Sequence, residues 1–99
     1  MITISKSKES EILSLLKNKN LKELERIINS LSKEEKETPF ILNVIGIFKI
    51  SKEVFFKNDA KEALIFFEKA YQKDKSFLDP LYNYASVSLK THIYGNVLD

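Results

Sequence analysis

The 99-residue chain has no cysteine and no tryptophan, and it holds only two glycines, two prolines, one methionine and one histidine. Without cysteine there is no disulfide framework and no thiolate metal site. His92 is the single histidine and no serine lies in a strand-to-helix elbow, so no nucleophile and general base come together and no enzymatic machinery is visible. His92 falls near the end of the last expected helix, where a cation suits the macrodipole, a role far commoner than metal binding or proton transfer. The two glycines, Gly46 and Gly95, stand apart, so no phosphate-cradling loop can form, and Gly46 is better explained by close helix packing. No cofactor and no metal is expected.

Long apolar runs are also missing. The longest, Phe40 to Phe48, is interrupted by Asn43 and is too short to span a bilayer, while Met1 to Ser10 lacks the apolar centre of a secretion signal. No membrane association is expected, and a cytoplasmic soluble protein is the natural reading. Charge of one sign is scarce: 16 basic residues face 14 acidic ones, a formal charge of +2, too weak a field to argue for nucleic acid. Lys6, Lys8, Lys17, Lys19 and Lys22 make the N-terminal part mildly basic, but the lysines are interleaved with Glu9, Glu11, Glu23 and Glu25, as on solvated helix faces.

What the chain does have is 43 % hydrophobic and 30 % charged residues, enough for one small helical domain. Four or five helices separate at their start and stop signals. Ile12, Leu13, Leu15 and Leu16 mark the first, which ends in the polar run from Lys17 to Asn20. Asn20 with Glu23 reads as a capping box for the second, whose stripe is Leu21, Leu24, Ile27, Ile28 and Leu31. Lys33 to Glu37 reads as a charged connection. Thr38 and Pro39 read as cap and first residue of the third helix, apolar through Phe40, Ile41, Val44, Ile45 and Phe48 and extendable through Phe55 and Phe56 to Lys57. Asp59 with Glu62 repeats the capping pattern for a fourth helix bearing Ala63, Phe67 and Ala70. Asp79 and Pro80 then open a fifth, which Gly95 stops.

An internal repeat underlies this order. Leu24, Ile28 and Leu31 share the four-then-three spacing of Ala63, Phe67 and Ala70. Leu31 to Gly46 and Ala70 to Ala85 are both fifteen residues, which pairs Ile45 with Tyr84 and Leu42 with Leu81. These residues, and the stretch Asn58 to Asp74, NDAKEALIFFEKAYQKD, resemble the tetratricopeptide repeat family, with the match strongest from Pro39 to Leu89. The chain departs from that pattern in three ways. Leu31 to Ala70 is 39 residues against a family period of about 34, lysines (Lys36, Lys75) replace the closing proline, and Ile12 and Leu24 stand where small residues are expected. The extra length is assigned to Phe48 to Phe56, and the first hairpin reads as an atypical, capping repeat. The competing reading is a freestanding helical bundle that closes on itself.

The resemblance implies an all-α fold of antiparallel helical hairpins stacked as a short right-handed α-solenoid. Residues 1–6 would be a disordered N-terminus, hairpin 1 would cover about 7–34 and hairpin 2 about 39–75. The first helix of an incomplete hairpin 3 would cover about 79–93, as if the chain were the N-terminal piece of a longer protein. By the same resemblance the leading helices line a concave groove that takes a protein or peptide. Projected there, Phe40, Asn43, Ile47 and Ile50 form one stripe, Tyr82, Ser86 and Leu89 form a second, and Asn83 beside it offers an amide to a peptide backbone. The carboxylate-clamp form of the family does not fit, because Ile47 follows Asn43 where a polar residue is needed. Two other roles suit the same residues: the N-terminal recognition arm of a glycosyltransferase, sulfotransferase or methyltransferase, and an adaptor that self-associates through its fifth helix.

Overall fold

The computed structural model describes residues 3–51 and 57–93. They form six helices and, among the described residues, no strand: α1 (Lys6–Lys17), α2 (Leu21–Ser30), α3 (Lys33–Lys36), α4 (Pro39–Lys49), α5 (Lys57–Lys73) and α6 (Asp79–Ile93). The fold is all-α, as the periodicity required.

Ile4 is buried against the first hairpin, and the hydroxyl of the next residue, Ser5, accepts the Lys8 N–H at 3.2 Å to start α1. The helix closes in a Schellman turn. Lys19 takes φ 54°, Asn20 N–H donates to the Leu15 carbonyl (2.9 Å) and Lys19 N–H donates to that of Leu16 (3.1 Å). This turn explains a first correction. Asn20 does sit at the N-cap of α2, but its backbone (ψ 71°) is set by the end of α1, its side chain makes no capping bond, and the Glu23 carboxylate turns to Arg26 instead.

A second correction lies in the charged connection, which folds into the single turn α3. There the Ser32 hydroxyl accepts the Glu35 N–H (3.1 Å) while the Glu35 carboxylate accepts the Ser32 N–H (2.9 Å), a complete capping box. Those bonds favour the ionised form and hold the Glu35 carboxyl below its ordinary pKa. Thr38 and Pro39 open α4 as expected, with the Thr38 hydroxyl donating back to the Glu35 carbonyl at 2.6 Å.

The third expected helix is shorter than its apolar content suggested. α4 stops at Lys49, and the Ser51 hydroxyl donates to the Ile47 carbonyl at 2.5 Å. Lys57 belongs to α5, while Phe55 and Phe56 lie outside the described residues. Asp59 is therefore inside the first turn of α5 rather than at its cap, and Glu62 pairs with Lys49 at 2.9 Å. Between α5 and α6 the Asp74 carboxylate accepts both the amide (3.0 Å) and the hydroxyl (2.6 Å) of Ser76, which lowers its pKa. Gly95 and Asn96, the expected stop of α6, lie outside the described residues, as does the side chain of His92.

Cross-contacts fix the hairpin of α4 and α5. Lys49 faces Glu62, Gly46 faces Phe67, and Glu37, just ahead of α4, faces Lys69 and Lys73 (3.9 and 3.8 Å). Numbers rise along one helix as they fall along the other, so the pair is antiparallel. Two core clusters result. Ile12, Leu24, Ile27, Ile28 and Leu31 of the first hairpin meet Ile41 and Val44 of α4. Ala60, Ala63 and Phe67 of α5 meet Val87 of α6, with Ile47 and Ile50 of α4 packed beside them. The whole spans 41 × 29 × 20 Å, and its least dimension is about two helix diameters of roughly 10 Å.

Candidate functional site

α1, α4 and α6 turn one side each toward a common groove of about 460 Å³. Glu9, Leu13 and Leu16 come from α1, Phe40, Asn43, Val44 and Ile47 from α4, and Asp79, Tyr82 and Asn83 from α6, with Phe77 at the turn before it. None of the lining comes from α2 or α5.

The floor is polar at one point. Asn43 is buried, and Asn83 of α6, forty positions on, donates its side-chain amide N–H to the side-chain oxygen Oδ1 of Asn43 at 3.0 Å. A buried amide needs such a partner, since leaving it unpaired costs about 1–3 kcal/mol. The bond therefore holds α4 and α6 in one register. The walls are apolar and partly open: Tyr82 is 67 % exposed and Leu13 51 % exposed, while Phe40 and Ile47 are half-buried. Both charged residues in the lining, Glu9 and Asp79, are acidic. The groove is thus negative in a chain whose formal charge is +2.

Of the eight residues projected from the sequence, the structure gathers Phe40, Asn43, Ile47, Tyr82 and Asn83 into this lining. Ile50 is the C-cap residue of α4 and packs toward α5. Ser86 and Leu89 are exposed on α6 and stand apart from the groove. The contribution of α1 was missed. Its signal was present, because Glu9, Leu13 and Leu16 repeat the four-then-three spacing of Asn43, Ile47 and Ile50, and Leu13 lies off the stripe that buries Ile12.

A wider hollow of about 1180 Å³ adjoins the first and shares Glu9, Phe40 and Phe77 with it. Its walls are helix ends and turns, and two of its charged residues, Glu37 and Lys73, already pair with each other. The smaller groove, built from the faces of α1, α4 and α6, is the better recognition site. Among the described residues no group of three or more acidic or histidine side chains could hold a metal, and no helix is long and apolar enough to cross a membrane. Comparisons of the chain with protein-family models, with curated proteins and with solved structures give no match.

Proposed function

We propose that this chain is a protein-interaction scaffold, without enzymatic activity of its own, whose α1/α4/α6 groove takes an apolar peptide or partner helix carrying a basic residue. The observation that supports it most directly is the groove itself: three helices present half-exposed apolar side chains around the Asn43–Asn83 pair. An extended segment or an amphipathic helix laid along such a surface buries apolar area, while the two amides meet its backbone. Glu9 and Asp79 supply the complement to a lysine or arginine.

The same reading takes the hairpins as tetratricopeptide-like repeats forming a short right-handed α-solenoid. It is supported by the 39-residue correspondence, by the antiparallel α4/α5 pair, and by a thickness near two helices. A cytoplasmic setting goes with this proposal.

The test uses residues that are exposed and so dispensable for folding. Panning a peptide display library on the chain is expected to enrich apolar sequences with a flanking Lys or Arg. Leu13→Glu combined with Tyr82→Ala should abolish their capture while the circular dichroism spectrum is unchanged. Enriched peptides that bind the double variant as well as the original chain would show that the recognition surface lies elsewhere.

A further inference from the structure

The groove gathers aromatic rings and hydrogen-bond acceptors, with no cation of the chain among them. Phe40 and Phe77 are half-buried and Tyr82 is exposed, and all three line the same space as the carboxylates of Glu9 and Asp79. Those carboxylates stand on different walls, Glu9 on α1 and Asp79 at the first turn of α6. The ion pairs among the described residues, Arg26 with Glu23, Lys49 with Glu62, and Glu37 with Lys69 and Lys73, include neither of them. Asn83 gives an N–H to Asn43, and no described residue donates to its own Oδ1. Elsewhere the chain does cover a ring with its own cation: the Lys69 ammonium lies over Phe66, 5.9 Å from the ring centre.

We infer that the groove holds the guanidinium of an arginine in its bound peptide, in preference to a lysine or a methylated lysine; this rests on the peptide site proposed above. All three cations would answer the two carboxylates, and they differ in hydration and in donors. A lysine ammonium is compact and strongly hydrated, so drawing it among aromatic rings costs the most water. A trimethylated ammonium suits ring faces, but it has no N–H and would leave Glu9, Asp79 and the Asn83 Oδ1 unbonded as water is displaced. A guanidinium sheds water more readily, presents flat faces to the rings, and aims five N–H donors at these acceptors from one plane. Leu13, Leu16 and Ile47 line the remainder of the groove. A free guanidino compound would leave them in water, whereas the apolar neighbours of an arginine in a peptide bury them.

The probes are three blocked tripeptides, acetyl-Leu-Arg-Leu-amide and its lysine and trimethyllysine counterparts, together with acetylarginine amide, each titrated into the full chain by heteronuclear NMR. The arginine tripeptide is expected to shift the groove amides saturably and to bind about fivefold or more tighter than the other two, the scale of one good cation–ring contact. Glu9→Gln combined with Asp79→Asn should remove that preference. Tyr82→Leu should reduce it while Tyr82→Phe, which keeps the ring, should not, and circular dichroism checks that each variant is folded. Equal binding of the lysine or trimethyllysine tripeptide overturns the inference and leaves the peptide site standing, and so does a preference that survives the loss of both carboxylates. Acetylarginine amide binding as tightly as the arginine tripeptide would make a free guanidino compound the ligand and equally overturn it. If no tripeptide binds, the inference falls, and the peptide site is decided separately by the library panning and its Leu13→Glu, Tyr82→Ala variant.

Discussion

At the scale of single residues, Gly46 shows why a weak helix former persists in the middle of a helix. Alanine there would favour α4 by about 1 kcal/mol through propensity alone. A Cβ at that point, however, would lie 2.7 Å from Phe67 Cδ1 and 3.0 Å from Cζ, closer still to Cε1, and the ring is fully buried with no room to turn aside. Forced overpacking costs about 1–3 kcal/mol, which outweighs the propensity gain. Gly46→Ala is therefore expected to destabilise the protein by about 1 kcal/mol in urea unfolding. In a Phe67→Leu background the same change should cost less or turn stabilising; an equal cost in both backgrounds would disprove the contact. The need for a small residue at this position was legible in the fifteen-residue spacings. The partner of Asn43 was not, because a hydrogen bond to Asn83 depends on how two helices are offset and leaves no local trace.

At the scale of elements, helix ends divide into those written locally and those imposed by their neighbours. Thr38–Pro39 opened α4 where the sequence placed it, since the proline's fixed φ needs no outside help. Asn20 and Glu23 had the composition of a capping box, but the turn closing α1 dictated the Asn20 backbone, and the box formed instead at Ser32 and Glu35. That turn stores a cost. Lys19 adopts a left-handed conformation, which disfavours any residue with a Cβ by about 1–2 kcal/mol. Glycine loses about 0.5–1 kcal/mol more entropy on folding, so Lys19→Gly is expected to stabilise the protein by a net of about 0.5–1 kcal/mol. A lowered thermal midpoint in that variant would contradict the assigned turn geometry.

At the scale of the whole molecule, α5 is the element on which the second half of the chain depends. Its Ala60, Ala63 and Phe67 bind α6 through Val87 on one side and meet α4 through Gly46, Ile47 and Ile50 on the other. Phe67→Ala would empty the centre of this cluster and is expected to cost about 3–5 kcal/mol, a large share of the roughly 5–15 kcal/mol that stabilises a domain. Because packing against α5 supports α6 beside the groove, the variant should also lose the peptide capture proposed for Tyr82 and Asn83. A thermal shift near zero would place Phe67 outside the core. The surface ion pairs, Lys49 with Glu62 among them, each contribute at most about 1 kcal/mol and set direction more than stability.

The sequence by itself determined the helical class, most helix starts, the second hairpin and its packing residues, because 3.6-residue periodicity and proline geometry act over a few neighbouring positions. Only the tertiary structure decided that α1 joins α4 and α6 around the groove, that Asn43 meets Asn83, and that Ile50, Ser86 and Leu89 stay out of the lining. Those outcomes depend on the offset and rotation of one helix against another. Side-chain packing across the whole core sets these, and no local pattern encodes them.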